Sequence, residues 1–98
     1  MRLKGKTAVI TGGGTGIGLG IAQSYAAEGC KVVIAGRRIE PLKAAVDAWD
    51  GTGEMLFHPM DVASLDSVKG FFGWVEENVG QIDILVNSAG TNIPNRTI

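Results

Sequence analysis

The stretch Thr11-Gly12-Gly13-Gly14-Thr15-Gly16-Ile17-Gly18 constrains this chain more than any other. Thr7-Ala8-Val9-Ile10 before it is apolar, β-branched and too short for a helix, so it reads as a buried strand. After it, Ile17, Ile21 and Tyr25 repeat every four residues beside small Ala22 and Ala26, and Gly29 stands where a helix C-terminal glycine belongs. A glycine-rich turn from strand into helix aims backbone N–H groups and the positive end of a helix dipole at one point, which makes a cradle for phosphate. Consecutive glycines also suit a flexible surface turn. The strand before and the helix after are what the phosphate reading demands and the flexible turn does not.

Spacing narrows the kind of cradle. A nucleotide triphosphate P-loop needs Lys-Ser or Lys-Thr after its last glycine, but Leu19 and Gly20 follow Gly18. The common dinucleotide pattern GxGxxG fails as well, because frames opening at Gly12 and Gly14 require glycine where Ile17 and Leu19 stand. The pattern that fits is TGxxxGxG, with Thr11-Gly12, Gly16 and Gly18. It resembles the short-chain dehydrogenase/reductase family, in its compact branch; the extended branch's TGxxGxxG would need glycine at Thr15.

Composition excludes several classes. At 98 residues the chain is one domain at most. Its 45% apolar and 19% charged residues are ordinary for a soluble globular protein, and the 15 glycines, about twice the usual share, collect in turns. A net charge of −1 without like-charge blocks points to neither nucleic acid nor a membrane surface. No apolar run approaches the roughly 20 residues of a membrane span, and Met-Arg-Leu-Lys-Gly is no secretory signal, so a cytoplasmic location is expected. Cys30 is the single cysteine, which rules out intrachain disulfides and reads as a small buried hydrophobe.

Beyond Gly29 the strand-helix alternation repeats. Lys31-Val32-Val33-Ile34-Ala35 is an unbroken run suited to a parallel strand covered on both faces. Leu42, Ala45, Val46 and Trp49 recur at helical spacing, with Pro41 in the first turn. Met55-Leu56-Phe57-His58 reads as a third strand. A third helix starts at the N-cap Ser64, with Leu65, Val68, Phe71, Phe72, Val75 and Val79 as its buried stripe and Gly80 as its stop. Gly70 and Gly73 inside it are unfavourable for a helix, and close packing on the sheet is one reason to keep them. Ile82 to Val86 reads as a fourth strand. The order βαβαβαβ, joined by right-handed crossovers, predicts an α/β fold: a Rossmann-like doubly wound parallel sheet with strand order 3-2-1-4. Ligands of such sheets bind beyond the carboxyl ends of the strands, where the chain reverses direction across the sheet.

The residues at those ends carry the functional reading. An acid about 20 residues past the glycine turn would hold the ribose hydroxyls of NAD, but Gly36 stands there and Arg37 and Arg38 follow. Two cations gain nothing from the N-terminus of the second helix, whereas a 2′-phosphate would give them a partner. A solvated basic pair is the competing explanation. The resemblance favours the phosphate, since NADP-using members of the family tend to carry a basic residue after the position of Gly36. It also implies that Asp61 accepts a hydrogen bond from the adenine amino group while the backbone of Val62 lies against the ring. Asp61 also reads simply as a turn acid. Asn87-Ser88-Ala89-Gly90 resembles the family's Asn-Asn-Ala-Gly segment, in which the asparagine braces neighbouring strands and the Ala-Gly backbone approaches the cofactor's ribose. Ser88 departs from that pattern. Lone His58 has no companion for a metal and reads as a partly buried strand residue.

The resemblance therefore implies NADP, with NAD the weaker candidate, held by Gly12, Thr15, Gly16, Ile17, Gly18, Arg37, Arg38, Asp61, Val62, Asn87, Ala89 and Gly90. The family's catalytic serine and Tyr-x-x-x-Lys pair have no counterpart, for the single tyrosine is Tyr25 and Gly29 stands four residues on. We therefore expect residues 1–98 to be the dinucleotide-binding part of a longer oxidoreductase, a homo-oligomer when full length. Its reaction would move a hydride between nicotinamide and a carbonyl, alcohol or enoyl small molecule. The alternative is a stand-alone nucleotide-binding or sensory module without redox chemistry.

Overall fold

In a computed structural model, residues 4–12, 16–51, 53–61 and 63–88 are described. Four strands alternate with three helices: β1 (Thr7–Thr11), α1 (Gly16–Ala27), β2 (Lys31–Gly36), α2 (Ile39–Ala48), β3 (Met55–Pro59), α3 (Leu65–Asn78) and β4 (Ile84–Asn87). The strands form one parallel sheet in the order β3-β2-β1-β4, as the alternation predicts. All strands run the same way, so Thr11, Gly36, Pro59 and Asn87 end on one edge of the sheet.

The two central strands are covered on both faces. Ala8, Ile10, Val32 and Ile34 pack under α1 and α2 with Ala22, Ala26, Leu42 and Ala45. Val9, Val33 and Ala35 face the other way and meet Phe71 and Val75 of α3, together with Met60. Val9, Ile10, Val32, Val33 and Ile34 are all fully buried. Each such side chain contributes roughly 1.5–3 kcal/mol relative to exposure, which explains why an unbroken apolar run specifies this position in the sheet.

The helices follow their end signals, but two buried stripes differ from expectation. Ser64 caps α3, its hydroxyl accepting the Ser67 N–H at 3.2 Å, while Gly29 (φ 90°) and Gly80 (φ 113°) follow α1 and α3 as C-terminal glycines. On α1 the face turned to the sheet is Gly18, Ala22 and Ala26, whereas Ile17 is 79% exposed. Small residues at this spacing let the helix approach the sheet closely, and the larger Ile21 and Tyr25 pack at the margin of the core. On α3, Phe71 and Val75 are the buried pair and Leu65 is 67% exposed, because it opens the helix at its first turn. Gly70 and Gly73 are exposed, and a Cβ at either would meet none of the described residues within 4 Å, so close packing on the described sheet does not account for them.

The strand β4 begins at Ile84, later than Ile82. Asp83 is committed outside the ladder: its Oδ2 accepts the Thr7 N–H at 2.9 Å and its own N–H donates to the Thr7 carbonyl at 2.8 Å. Cys30 is fully buried, its thiol directed at the Lys6 carbonyl oxygen at 3.2 Å. Burial, aided by the negative charge of Asp83, pushes the Cys30 thiol above its ordinary pKa. That keeps it protonated and unreactive. His58 packs its ring 4.5 Å from that of Trp74 and 5.7 Å from that of Phe71, and its Nδ1 lies 2.8 Å from the Pro59 carbonyl oxygen, a packing position for a strand histidine.

Candidate functional site

The end of β1 is the hub of the candidate site. Thr11 is 5% exposed, and its carbonyl oxygen accepts both the Ser88 hydroxyl at 2.6 Å and the Ser88 N–H at 3.1 Å. Its own hydroxyl donates to Asn87 Oδ1 at 2.9 Å. Asn87 and Ser88 thus fasten the end of β4 to the end of β1, directly beside the glycine turn. Nothing in the sequence pattern assigned Ser88 a partner; its role appears only once β1 and β4 are neighbours.

Two glycines of the turn have different physical reasons to be glycine. Gly16 opens α1 with φ +61°, a left-handed conformation that side chains rarely adopt, and a Cβ there meets nothing within 4 Å among the described residues. Gly18 is buried, and a Cβ there would overlap the Gly12 carbonyl and come to 2.5 Å from Ser88 Oγ. The first glycine supplies the left-handed conformation and the second lets the helix close onto the turn. Gly12 leaves β1 with φ 69° and donates its N–H to the Ala35 carbonyl at 2.7 Å. Ile17 lies exposed on the first turn of α1, next to the N–H groups that have no partner within the helix.

At the end of β2, Arg37 and Arg38 are both exposed. Arg38 is the N-cap residue of α2, extended in backbone and without a side-chain capping bond, so its cation stands beside the positive end of that helix. Arg37 Nε lies 4.0 Å from Asp61 Oδ1. The Asp61 carboxylate also accepts the Ala63 N–H at 2.9 Å, its backbone N–H donates to Ser67 Oγ at 2.9 Å, and its carbonyl accepts the Ser64 N–H at 2.9 Å. It is a turn acid and, at the same time, a carboxylate held in place beside the strand ends.

Gly12, Gly16, Ile17, Gly18, Arg37, Arg38, Asp61 and Asn87 therefore gather at one edge of the sheet. Thr15, Val62, Ala89 and Gly90, and residues 92–98 beyond them, lie outside the described residues. A left-handed glycine at a helix start and two cations at the next strand end thus stand at the same end of the sheet. A groove of about 550 Å³ between the end of α3 and the start of β4, lined by Phe72, Val75 and Ile82 among others, lies toward the opposite edge. No group of metal ligands occurs among the described residues, and no helix there is long and apolar enough to cross a membrane.

Known proteins share this arrangement. The family model described as short chain dehydrogenase matches residues 6–98. The NADP-dependent (R)-specific alcohol dehydrogenase of Lentilactobacillus kefiri is 40% identical over 89 residues, covering 91% of this chain and 35% of that protein. A short-chain dehydrogenase/reductase of Byssochlamys spectabilis, VdtF, is 43% identical over 96 residues, covering 95% of this chain and 30% of that protein. Among solved structures, L-sorbose reductase from Gluconobacter frateurii, in complex with NADPH and L-sorbose, superposes with a TM-score of 0.87 at 39% identity, covering 100% of this chain and 38% of that one. The chain thus spans about a third of the length of these relatives. The chain belongs to the short-chain dehydrogenase family.

Proposed function

We propose that residues 1–98 are the cofactor-binding part of an NADP(H)-dependent oxidoreductase of the short-chain type, acting on a carbonyl, alcohol or enoyl small molecule. The observation that carries the cofactor choice is the pair of exposed cations, Arg37 and Arg38, at the end of β2, where an acid would serve NAD. Two relatives whose names or structures include NADP or NADPH support the same reading. When bound, the cofactor supplies the hydride chemistry.

The chain's own residues bind and orient. Gly12, Thr15, Gly16 and Gly18 shape the turn, and the backbone near Ile17 donates to the pyrophosphate. Arg37 offers its planar fork to the 2′-phosphate, with Arg38 beside it. Asp61 and Val62 flank adenine, and Asn87, Ala89 and Gly90 approach the ribose. The groups that move a proton to or from substrate belong, in this reading, to the rest of a longer protein that is cytoplasmic and homo-oligomeric. A stand-alone sensory module is not favoured, because the relatives are oxidoreductases by name.

Titrating NADPH and NADH against the full-length protein by quenching of intrinsic fluorescence tests the cofactor choice. Arg37→Ala should weaken NADPH far more than NADH, by up to the 1.5–3 kcal/mol or so of a hydrogen bond to a charged group. Equal losses, or an original preference for NADH, would overturn it.

A further inference from the structure

Arg37 and Asp61, to which the proposed function gives separate partners, are each other's partner in the structure, with Nε 4.0 Å from Oδ1. The two residues are not equally free to move. Asp61 is anchored three times: its carboxylate accepts the Ala63 N–H, its N–H donates to Ser67 Oγ and its carbonyl accepts the Ser64 N–H. The Arg37 side chain is 75% exposed and has no other ion pair among the described residues. Arg37 is therefore the member that must turn if either finds a new partner.

Resting on the proposed function, we propose that Asp61 is a specificity-determining residue that restrains Arg37 and so opposes selection for a 2′-phosphate. A nucleotide carrying that phosphate has to draw Arg37 away from Asp61. A nucleotide with a free 2′-hydroxyl leaves the pair intact. The adenine amino group is common to both ligands and contributes equally to each. Removing the Asp61 charge therefore acts on the difference between the two nucleotides, in favour of the phosphorylated one. Exposed pairs of this kind are weak, which limits the expected change to about two- to fivefold. Salt screens such a pair, so the change should shrink as ionic strength rises.

The test uses 2′,5′-ADP and 5′-AMP, which differ only in the 2′-phosphate, titrated calorimetrically against the full-length protein, and reads the ratio of their dissociation constants. In Asp61→Asn the amide oxygen still accepts the Ala63 N–H, so the turn is kept while the charge is removed. The expected result is a rise of about two- to fivefold in preference for 2′,5′-ADP, absent when Arg37→Ala is already present. An unchanged or reduced ratio overturns the proposal, and so does a rise that persists without Arg37, which would assign the effect to the general field of the carboxylate. Failure of the underlying reading looks different: the wild type would bind both nucleotides equally and Arg37→Ala would alter neither.

Discussion

The Thr11 hydroxyl donates to Asn87 Oδ1 at 2.9 Å, so the last residue of β1 is fastened by its side chain to the last residue of β4. The backbone ladder alone already pairs these residues. The extra bond matters because the chain reverses direction across the sheet between these two strands, leaving a crevice at their ends where a ligand can lie. At the other end of the same pair Asp83 Oδ2 accepts the Thr7 N–H at 2.9 Å, so side chains hold β4 at both ends of its short ladder.

The first prediction follows from that fastening. Thr11→Val keeps the shape and removes the donor, and should lower stability by about 0.5–1.5 kcal/mol in urea unfolding, with the slope of the transition unchanged. Thr11→Ser retains the hydroxyl and should lose less. Equal losses in the two variants would show that packing of the methyl group, and not the bond to Asn87, holds this end.

Gly16 and Gly18 should separate binding from folding. At Gly16 a Cβ meets none of the described residues within 4 Å, but φ +61° strains a β-branched residue, so Gly16→Val should cost some stability, leave the sheet folded by circular dichroism and remove nucleotide binding by fluorescence titration. At Gly18 the first added carbon meets the Gly12 carbonyl and Ser88 Oγ, both belonging to the framework. Gly18→Ala should therefore destabilise the protein by roughly 1–3 kcal/mol, as overpacking does, and disturb binding only through that shift. If Gly16→Val binds as well as the wild type, the turn is not the cradle.

The contrast between these glycines also shows what a sequence can disclose. TGxxxGxG marks the turn because backbone approach demands glycine at fixed spacing, and buried parallel strands declare themselves as runs such as Val32-Val33-Ile34. Right-handed crossovers then make the sheet parallel and doubly wound, and the dinucleotide-binding pattern selects the order 3-2-1-4 among such sheets. Burial at helix starts was not legible. Periodicity gives Ile17 and Leu65 an inward face, yet both stand at the first turn, beyond the reach of the sheet, and remain exposed. Nor could spacing reveal that Ser88 reaches the Thr11 carbonyl or that Arg37 faces Asp61, because those contacts join residues brought together only by strand order.

Gly70 and Gly73 lie on the exposed side of α3, and none of the described residues occupies the place of their missing Cβ. Each sits in a helix interior, where glycine is destabilising by roughly 0.5–1 kcal/mol relative to alanine. Gly70→Ala and Gly73→Ala should each raise stability by about that amount, and because residues three apart on a helix are neighbours the double variant shows whether the gains add. Thermal unfolding of the two single variants and the double variant measures this. A loss in either variant would mean that the glycine answers to a partner packed on that face of α3.

The exposed margin of β4 leads to a last prediction, about the 98-residue chain taken alone. Among the described strands β4 pairs with β1 only, so the N–H and C=O groups on its other side have no ladder. The apolar surface at this edge is Leu85, 45% exposed beside Val9 on the α3 face, while Ile84 and Val86 turn inward and pack against the α1 core. Asp83 is poorly placed to discourage strand addition, because it precedes β4 and its carboxylate is engaged by Thr7. An open strand edge and a half-exposed leucine together favour pairing between chains, with on the order of 1 kcal/mol available from burying the rest of the leucine. The isolated chain should therefore associate in light-scattering measurements as its concentration rises. Leu85→Lys should reduce that association by placing a charge at the edge without disturbing the core face of the strand. A wild-type chain that stays monomeric, or a lysine variant that associates just as readily, would show that β4 is not the surface through which the chains meet.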